Sequence, residues 1–295
     1  MEQGFIPPYF LDVPELLASL PKQKSPKTGY RGVVGGGTDL YVQRPEKLTR
    51  TEVQLVSDKV KLNGIRIKGK NCRIGASSTV TDLLESEDMN RIFPNLKQHL
   101  KLVSSTQIRN MGTVAGNLAN ASPIGDLTVF LLALNASVTL KGKNKHNLPL
   151  REFYLGYKKL NKDPDDIIKS IEFPLPGKAT RFNFEKVCKR THLDIASVNS
   201  AIQISETEGR IRSVSLAAGG IGPIPAYLAG TCQFLKGKKL SAKTVKSAAK
   251  MLTGEISPIS DARGSASYKS LLLRQLFFAH FLELFPDQFD LPDFL

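Results

Sequence analysis

The chain has 295 residues, of which 41% are hydrophobic and 23% are charged, and its formal net charge is +14 at pH 7. This composition is typical of a soluble globular protein, and the length allows one large core or two domains. No apolar run approaches the roughly 20 residues of a membrane span, and the first residues lack the basic and apolar regions of a secretion signal. The sequence therefore predicts a cytoplasmic protein without a membrane partner.

The cysteines and the distribution of the basic residues argue against a metal or disulfide protein and against a nucleic-acid-binding protein. Cys72, Cys188 and Cys232 are odd in number and have no CxxC spacing, which disfavours a disulfide framework, a zinc site or an iron–sulfur site in this chain. The basic residues are spread through loops rather than along one stripe with aromatic residues, and no nucleic-acid motif occurs. We predict no nucleic-acid partner and a solvated basic surface, with the alternative that part of this charge contacts an acidic partner subunit.

The chain divides into three parts by pattern. Up to about Lys59 we predict a helix at 15–20, a basic loop at 21–31, a strand at 32–34 and a short buried strand at 53–56. From 60 to 177 we predict strands at 64–69, 72–76, 137–140 and 166–173, and helices at 81–86, with Thr79 as its N-cap, at 93–103, with Pro94 in its first turn, and from Asp126. From 178 to 295 we predict strands at 181–187, 194–204 and 210–220, then helices at 226–235, 241–252 and 265–285.

Two segments have the composition of backbone ligand sites. Gln107–Leu127 is rich in Gly, Ala, Ser, Thr and Asn, and Val33–Leu40 contains three consecutive glycines after a predicted strand. Where side chains are this small, a ligand can lie against peptide N–H groups. Either segment alone is compatible with a structural loop, and a helix starting at Asp126 is also compatible with an N-cap role for that residue. Together they indicate one extended phosphate-bearing ligand held at two places.

Other chemistries find little support. The GxGxxG fingerprint fails at Leu40, no GK[ST] follows the glycines, and no GxSxG elbow occurs. His99, His146, His192 and His280 have no metal-binding spacing and are interpreted as surface or packing residues, and the phenylalanines from Phe277 to Phe285 as core. We predict no metal site and no catalytic side chain, so that any reactive chemistry belongs to a bound cofactor.

An ordered set of motifs resembles one family. The motifs are GGTDL in 36–40, IGA followed by Thr79, IRNMGTVAGNLANASPIGD at 108–126, LPLREFYLGYKK at 148–159, SIEFP at 170–174, KVCKRTHLDIASV at 186–198, AAGGIGPIP at 217–225 and ISPISDARGSASYK at 256–269. Over nearly its whole length the chain thus resembles the FAD-binding (medium) subunit, or the equivalent domain, of the molybdenum hydroxylases, which include xanthine dehydrogenase. Its details look closest to the FAD part of the bacterial xanthine dehydrogenase small subunit.

The resemblance implies an α+β fold. A two-part FAD-binding domain of the vanillyl-alcohol-oxidase (PCMH) type would occupy 1–177, with subdomains at about 1–59 and 60–177. A domain like the carbon monoxide dehydrogenase flavoprotein C-terminal domain, with a three-stranded antiparallel sheet and helices, would occupy 178–295.

The resemblance also assigns site residues. Asp126 would accept a hydrogen bond from an adenosine-side or ribityl hydroxyl, Ile168 would pack at the flavin, and Lys186 would lie near the isoalloxazine, where a cation stabilises the anionic reduced ring. Two segments would hold the FAD diphosphate through oriented N–H groups: Val33, Val34, Gly35, Gly36, Gly37, Thr38, Asp39 and Leu40 in the first, and Thr113, Val114, Ala115, Gly116 and Asn117 in the second.

The implied activity is electron relay in a heteromeric oxidoreductase. Electrons would come from a molybdopterin-binding subunit through the [2Fe–2S] clusters of an iron–sulfur subunit, and FAD would pass them to NAD as the expected acceptor. Because this chain has no cluster cysteines, the [2Fe–2S] clusters would belong to a partner subunit. The resemblance implies that molybdopterin also belongs to a partner. The alternative is a flavin-free scaffold subunit of the same kind of complex; the intact glycine segments and Asp126 favour the flavoprotein.

Overall fold

The computed structural model describes residues 6–20, 32–57 and 59–295. The basic loop predicted at 21–31 lies outside these residues. Within the described ranges, no helix has both the length and the apolar content that crossing a bilayer requires.

The amino-terminal part consists of short elements with little buried surface. In chain order these are α1 (Val13–Ser19), β1 (Val33–Val34), α2 (Leu40–Gln43), α3 (Pro45–Thr49) and β2 (Gln54–Leu55). Strands β1 and β2 form a two-stranded parallel sheet. Among the described residues up to Ser57, Val34 alone is buried. The predicted strand at 53–56 exists, but its predicted burial is wrong: Leu55 is 43% exposed, because no second layer of described residues covers this sheet.

A five-stranded antiparallel sheet forms the centre of the next part. Its strands, in spatial order, are β3 (Ile65–Lys68), β4 (Asn71–Gly75), β9 (Ile167–Pro174), β5 (Ser137–Lys141) and β6 (Lys145–Pro149). The hairpin of β3 and β4 and the buried strand β9 confirm the predictions from alternation and apolar runs. Strand β6 was missed because its start is basic and polar, which an exposed edge strand tolerates.

Six short helices lie in the chain between β4 and β5: α4 (Val80–Glu85), α5 (Glu87–Ile92), α6 (Leu96–Lys101), α7 (Thr106–Met111), α8 (Val114–Asn120) and α9 (Asp126–Ala133). A small hairpin of β7 (Tyr154–Gly156) and β8 (Lys159–Leu160) follows them in the chain. Thr79 is the N-cap of α4 and forms the predicted capping box with Asp82. The helix predicted at 93–103 is wrong at its start, because Pro94 lies in the turn between α5 and α6. A residue before proline avoids the helical region, and Phe93 is accordingly extended, with φ −124° and ψ 92°.

The carboxy-terminal part is an antiparallel meander followed by helices. Strands β10 (Thr180–Val187), β11 (Val198–Thr207) and β12 (Arg210–Gly219) are the three predicted strands, and the two-residue β13 (Ala226–Tyr227) adds a fourth at the edge. Helices α10 (Ala229–Leu235), α11 (Ala242–Gly254) and α12 (Ala266–Leu284) follow. Two starts differ from the prediction: α10 begins after β13, and β11 begins at Val198.

Both faces of the β10–β13 sheet are covered. Helix α9 of the preceding part lies on one face, and α10 and α12 lie on the other. Every residue of α9 after Asp126 is buried, which suits a helix that is apolar on all sides. Phe184, Ala201 and Ala217 of the sheet belong to the same core cluster as α9. The phenylalanines predicted as core are buried on the other side, around α12.

A chain of buried polar side chains also joins the two parts. His99 Nε2 lies 3.1 Å from Asn183 Oδ1, Asn183 Nδ2 lies 3.1 Å from His280 Nδ1, and His280 Nε2 lies 3.0 Å from Ser200 Oγ. Asn183 Nδ2 also donates to the Glu185 carboxylate, which fixes the orientation of the amide. Burial lowers the pKa of His99 to about 4 and that of His280 to about 3, so both rings are neutral at pH 7.

The buried histidines make stability depend on pH. Both folded-state pKa values lie below the ordinary 6.5, so the unfolded chain binds more protons and the free energy of unfolding falls as the pH drops below 6.5. Each histidine should lower the free energy of unfolding by about 1.4 kcal/mol between pH 7.5 and pH 5.5. We expect His280→Gln to reduce this fall, measured by urea unfolding at pH 7.5 and pH 5.5. The exposed His192→Gln should keep the wild-type fall, and an equal fall in both variants would contradict the assignment.

Candidate cofactor site

The two small-residue segments singled out by the sequence lie against each other. A Cβ atom added to Gly36 would lie 1.7 Å from the Met111 carbonyl oxygen, and one added to Gly35 would lie 2.5 Å from Thr113 Oγ1. Gly37 has φ +70°, a conformation that favours glycine. From their composition, these glycines are expected to let a ligand approach the backbone. The structure adds a second reason at Gly35 and Gly36, which is direct packing of one segment on the other.

The turn from Gly35 to Leu40 offers backbone donors. None of its amide N–H groups donates a hydrogen bond to another described residue. All of these residues are half-buried, and the Asp39 carboxylate accepts a hydrogen bond from Gln43 Nε2 at 2.7 Å. Half-buried amides without a protein acceptor form a concave site for an anion. The first predicted segment therefore fits the diphosphate of FAD.

The second segment, Thr113–Asn117, is different because most of its amides already have acceptors. The N–H groups of the residues after Thr113 donate, in order, to Ser78 O at 2.8 Å, Ala76 O at 3.2 Å, Thr113 Oγ1 at 3.0 Å and Thr113 O at 3.0 Å. Thr113 is the N-cap of α8. This segment therefore fixes the back of the Gly35–Leu40 turn. Any contact that it makes with a ligand falls mainly to Thr113 and to side chains.

Asp126 lies where the two parts of the chain meet. The N-cap of α9 is Gly125, so the alternative role of Asp126 as N-cap is wrong. Its Oδ2 atom lies 2.8 Å from the Lys186 Nζ atom, and its Oδ1 atom accepts a hydrogen bond from Asn199. The Lys186 ammonium also donates to the Leu102 carbonyl oxygen at 2.8 Å. The structure thus brings together Asp126 and Lys186, which the resemblance had assigned to separate roles.

The register of the β10–β12 strands explains why Lys186 and Asn199 lie together beside Asp126. Lys186 on β10 is paired directly with Asn199 on β11, and Asn199 is paired with Gly219 on β12. Side chains at directly opposite positions of neighbouring strands lie on the same face. A Cβ atom on Gly219 would lie 2.3 Å from Asn199 Oδ1 and 3.1 Å from Ile124 Cα. Because Gly219 has none, the loop before α9 can approach the sheet.

The surroundings set the charge state of this cluster. Burial raises the pKa of the Asp126 carboxyl, and the Lys186 ammonium and the Asn199 amide act in the opposite direction. The Lys186 side chain is 1% exposed and uses two of its three N–H donors on described residues. A buried charge pair of this kind depends on the hydrogen bonds that each partner keeps.

Ile168 lies apart from this polar cluster. It is 8% exposed, faces Leu140 across the β5–β9 pair and belongs to the hydrophobic core. Its contact with flavin stays a prediction. In the described ranges no group of three or more His, Cys, Asp or Glu side chains is placed to hold a metal ion.

Two residues of the site, Asn199 and Leu102, were not predicted from the sequence. Asn199 follows the DIASV motif directly, but nothing local in the sequence shows that it opposes Lys186. Leu102 contributes only a carbonyl oxygen, for which side-chain patterns give no signal.

Comparisons with known proteins agree with this architecture. Residues 12–176 match the family described as FAD binding domain in molybdopterin dehydrogenase, and residues 184–284 match the CO dehydrogenase flavoprotein C-terminal domain. The chain is 26% identical to the carbon monoxide dehydrogenase medium chain of Hydrogenophaga pseudoflava, over 83% of this chain and 85% of that one. A solved structure of the Hydrogenophaga pseudoflava enzyme lacking the Mo-pyranopterin moiety superposes with a TM-score of 0.79 at 25% identity, covering 84% of this chain and 88% of that one.

Longer relatives match as well. The chain is 31% identical to the xanthine dehydrogenase of Emericella nidulans, over 71% of this chain and 16% of that protein. It spans only 19% of a second xanthine dehydrogenase, from Blastobotrys adeninivorans. The predicted two-domain fold and the FAD cofactor are confirmed by these matches. The chain belongs to the family of FAD-binding domains of molybdopterin dehydrogenases, followed by a CO dehydrogenase flavoprotein C-terminal domain.

Proposed function

We propose that this chain is the FAD-carrying electron-transfer subunit of a molybdenum hydroxylase complex. It takes electrons from the [2Fe–2S] clusters of an iron–sulfur partner, which receives them from a molybdopterin-binding partner, and it reduces NAD or another acceptor. One relative is the medium chain of a carbon monoxide dehydrogenase, which supports a role in a complex of several chains. The observation that carries the proposal is the Gly35–Leu40 turn, whose amides find no acceptor in the described protein.

Each polar group of the site has a role in holding the cofactor. The Gly35–Leu40 amides bind the diphosphate as oriented dipoles, and Asp126 accepts a hydrogen bond from a hydroxyl of the ribityl or adenosine side. Lys186 supplies a positive charge for the flavin ring. When bound, FAD supplies one- and two-electron redox chemistry, for which the chain contains no side-chain equivalent. Binding, orientation and electrostatic tuning remain the work of the chain.

The first test measures the contribution of Asp126 to FAD binding. Asp126→Asn keeps the size of the side chain and an oxygen that can accept a hydrogen bond from the buried Lys186 ammonium, so this variant is compared directly with the wild type. A hydrogen bond to a charged group contributes about 1.5–3 kcal/mol, so we expect FAD affinity to fall by roughly tenfold or more. The affinity is measured by fluorescence titration of the full chain with FAD.

Asp88→Asn serves as the matched control, because the half-buried Asp88 carboxylate is also paired with a cation, Arg91, and this variant should bind FAD like the wild type. Equal FAD affinity of Asp126→Asn and the wild type would show that Asp126 does not contribute to FAD binding. A wild-type chain that binds no FAD at all would favour the flavin-free scaffold.

The second test concerns the turn itself. In Gly36→Ala the new methyl group would overlap the Met111 carbonyl oxygen, so the turn must move. Overpacking of this kind costs about 1–3 kcal/mol, and we expect FAD affinity to drop by roughly tenfold. Gly156→Ala is the control, since a Cβ atom there meets nothing within 4 Å. Unchanged affinity in Gly36→Ala would show that the turn does not hold the diphosphate.

The third test addresses the electron path. The complex is purified with its partners from its natural source, depleted of FAD, and assayed for NADH formation with its oxidisable substrate and for reduction of an artificial dye. We expect depletion to abolish NADH formation, added FAD to restore it, and dye reduction by the partners' centres to persist. NADH formation at an undiminished rate without flavin would refute the relay through this chain.

A further inference from the structure

Asn199 is fully buried and has an unusual set of hydrogen bonds. Its Nδ2 atom donates to Asp126 Oδ1 and, at 3.2 Å, to the Ile124 carbonyl oxygen. Its Oδ1 atom is buried and has no hydrogen-bond partner among the described residues. A buried acceptor without a partner costs stability, so this orientation of the amide needs a cause.

The cause is the loop that carries Asp126. Rotating the amide by half a turn would place Oδ1 against the Asp126 carboxylate and the Ile124 carbonyl oxygen, so that acceptors would face acceptors. The observed orientation leaves Oδ1 on the side of Gly219, where the missing side chain makes the space. Both hydrogen bonds donated by Asn199 Nδ2 are therefore accepted at the start of α9, by Asp126, and in the loop before it, by Ile124.

We propose that Asn199 is a positioning residue for FAD binding: its amide holds the Asp126 carboxylate in one orientation, with an oxygen free to accept a hydrogen bond from a hydroxyl of the cofactor. This inference rests on the proposed function, because it assumes that Asp126 contacts FAD. Asn199 itself acts through Asp126 and needs no contact with the cofactor.

Among the described residues, few charged or titratable groups face Asp126. Within that set, Lys186 on β10 is the cation that acts directly on the Asp126 carboxyl, and Asn199 on β11 supplies a neutral donor. Cys188 lies just beyond β10. Burial raises the pKa of its thiol, and the charges of Asp126, Lys186, Asp194 and Arg190 also act on that pKa. Burial also favours the protonated form of Asp126, so loss of the Asn199 donor should make Asp126 easier to protonate.

The test replaces the amide of Asn199 by a carboxyl of the same shape. In Asn199→Asp the two carboxylates repel each other at pH 8, and we expect FAD affinity about tenfold or more below wild type. At pH 5.5 the pair can share one proton, which restores a donor to Asp126, so affinity should recover most of this loss. FAD affinity is measured by fluorescence titration of the full chain across this pH range.

Two further variants complete the design. Asn199→Leu has no donor at any pH and should lose FAD affinity without recovery at pH 5.5. It also keeps the inference testable if Asn199→Asp does not fold, which circular dichroism will show. Asn90→Asp is the matched control: its half-buried amide donates to Leu84 O and Ser86 O, away from the site, and the FAD affinity should follow the wild-type pH profile.

The outcomes separate this inference from the proposed function. Wild-type affinity of Asn199→Asp at pH 8, an equal loss at every pH, or wild-type affinity of Asn199→Leu would overturn the positioning role. If these results accompany a clear dependence of FAD binding on Asp126, the proposed function stands and only the role of Asn199 fails. A wild-type chain without FAD affinity refutes the proposed function itself.

Discussion

The structure depends on one half-buried carboxylate, that of Asp126, held at the junction of the FAD-binding domain and the C-terminal domain. Asp126 is the first residue of α9 in the FAD-binding domain, and its partners Lys186 and Asn199 lie on the β10–β13 sheet of the C-terminal domain. An ion pair out of water is stable only when its remaining hydrogen bonds are satisfied, and the Leu102 carbonyl oxygen supplies one of these for Lys186. The side chains that we propose for cofactor binding, Asp126 and Lys186, therefore also hold the two domains together.

The same junction explains why the carboxy-terminal sheet has buried apolar side chains on both faces. Its own helices α10 and α12 cover one face, and α9 covers the other, so most of β11 is buried. A core shared in this way also accounts for the neutral histidines. His99 and His280 reach Asn183 from opposite parts of the chain and satisfy polar groups that would otherwise be buried without partners.

Local signals in the sequence predicted most elements but few of the contacts between them. The β3–β4 hairpin, the Thr79 cap and α11 and α12 follow from alternation, capping residues and helical spacing. The edge strand β6, the short β13 and the exposed Leu55 depend on what packs against them, which local patterns do not contain. The site residues came from the resemblance. The meeting of Asp126 with Lys186 and Asn199 was missed, because it requires the register of β10 against β11 and the docking of α9.

The glycines of the site show how composition alone misleads about cause. Gly35 and Gly36 admit the neighbouring segment, Gly37 adopts a positive φ, and Gly219 admits Asn199. None of these reasons is the approach of a ligand, although together they produce the turn of amides that a diphosphate fits. Because the described residues up to Ser57 bury Val34 alone, this part has little core of its own. An anion bound to those amides would therefore stabilise the fold of the turn as well as hold the cofactor.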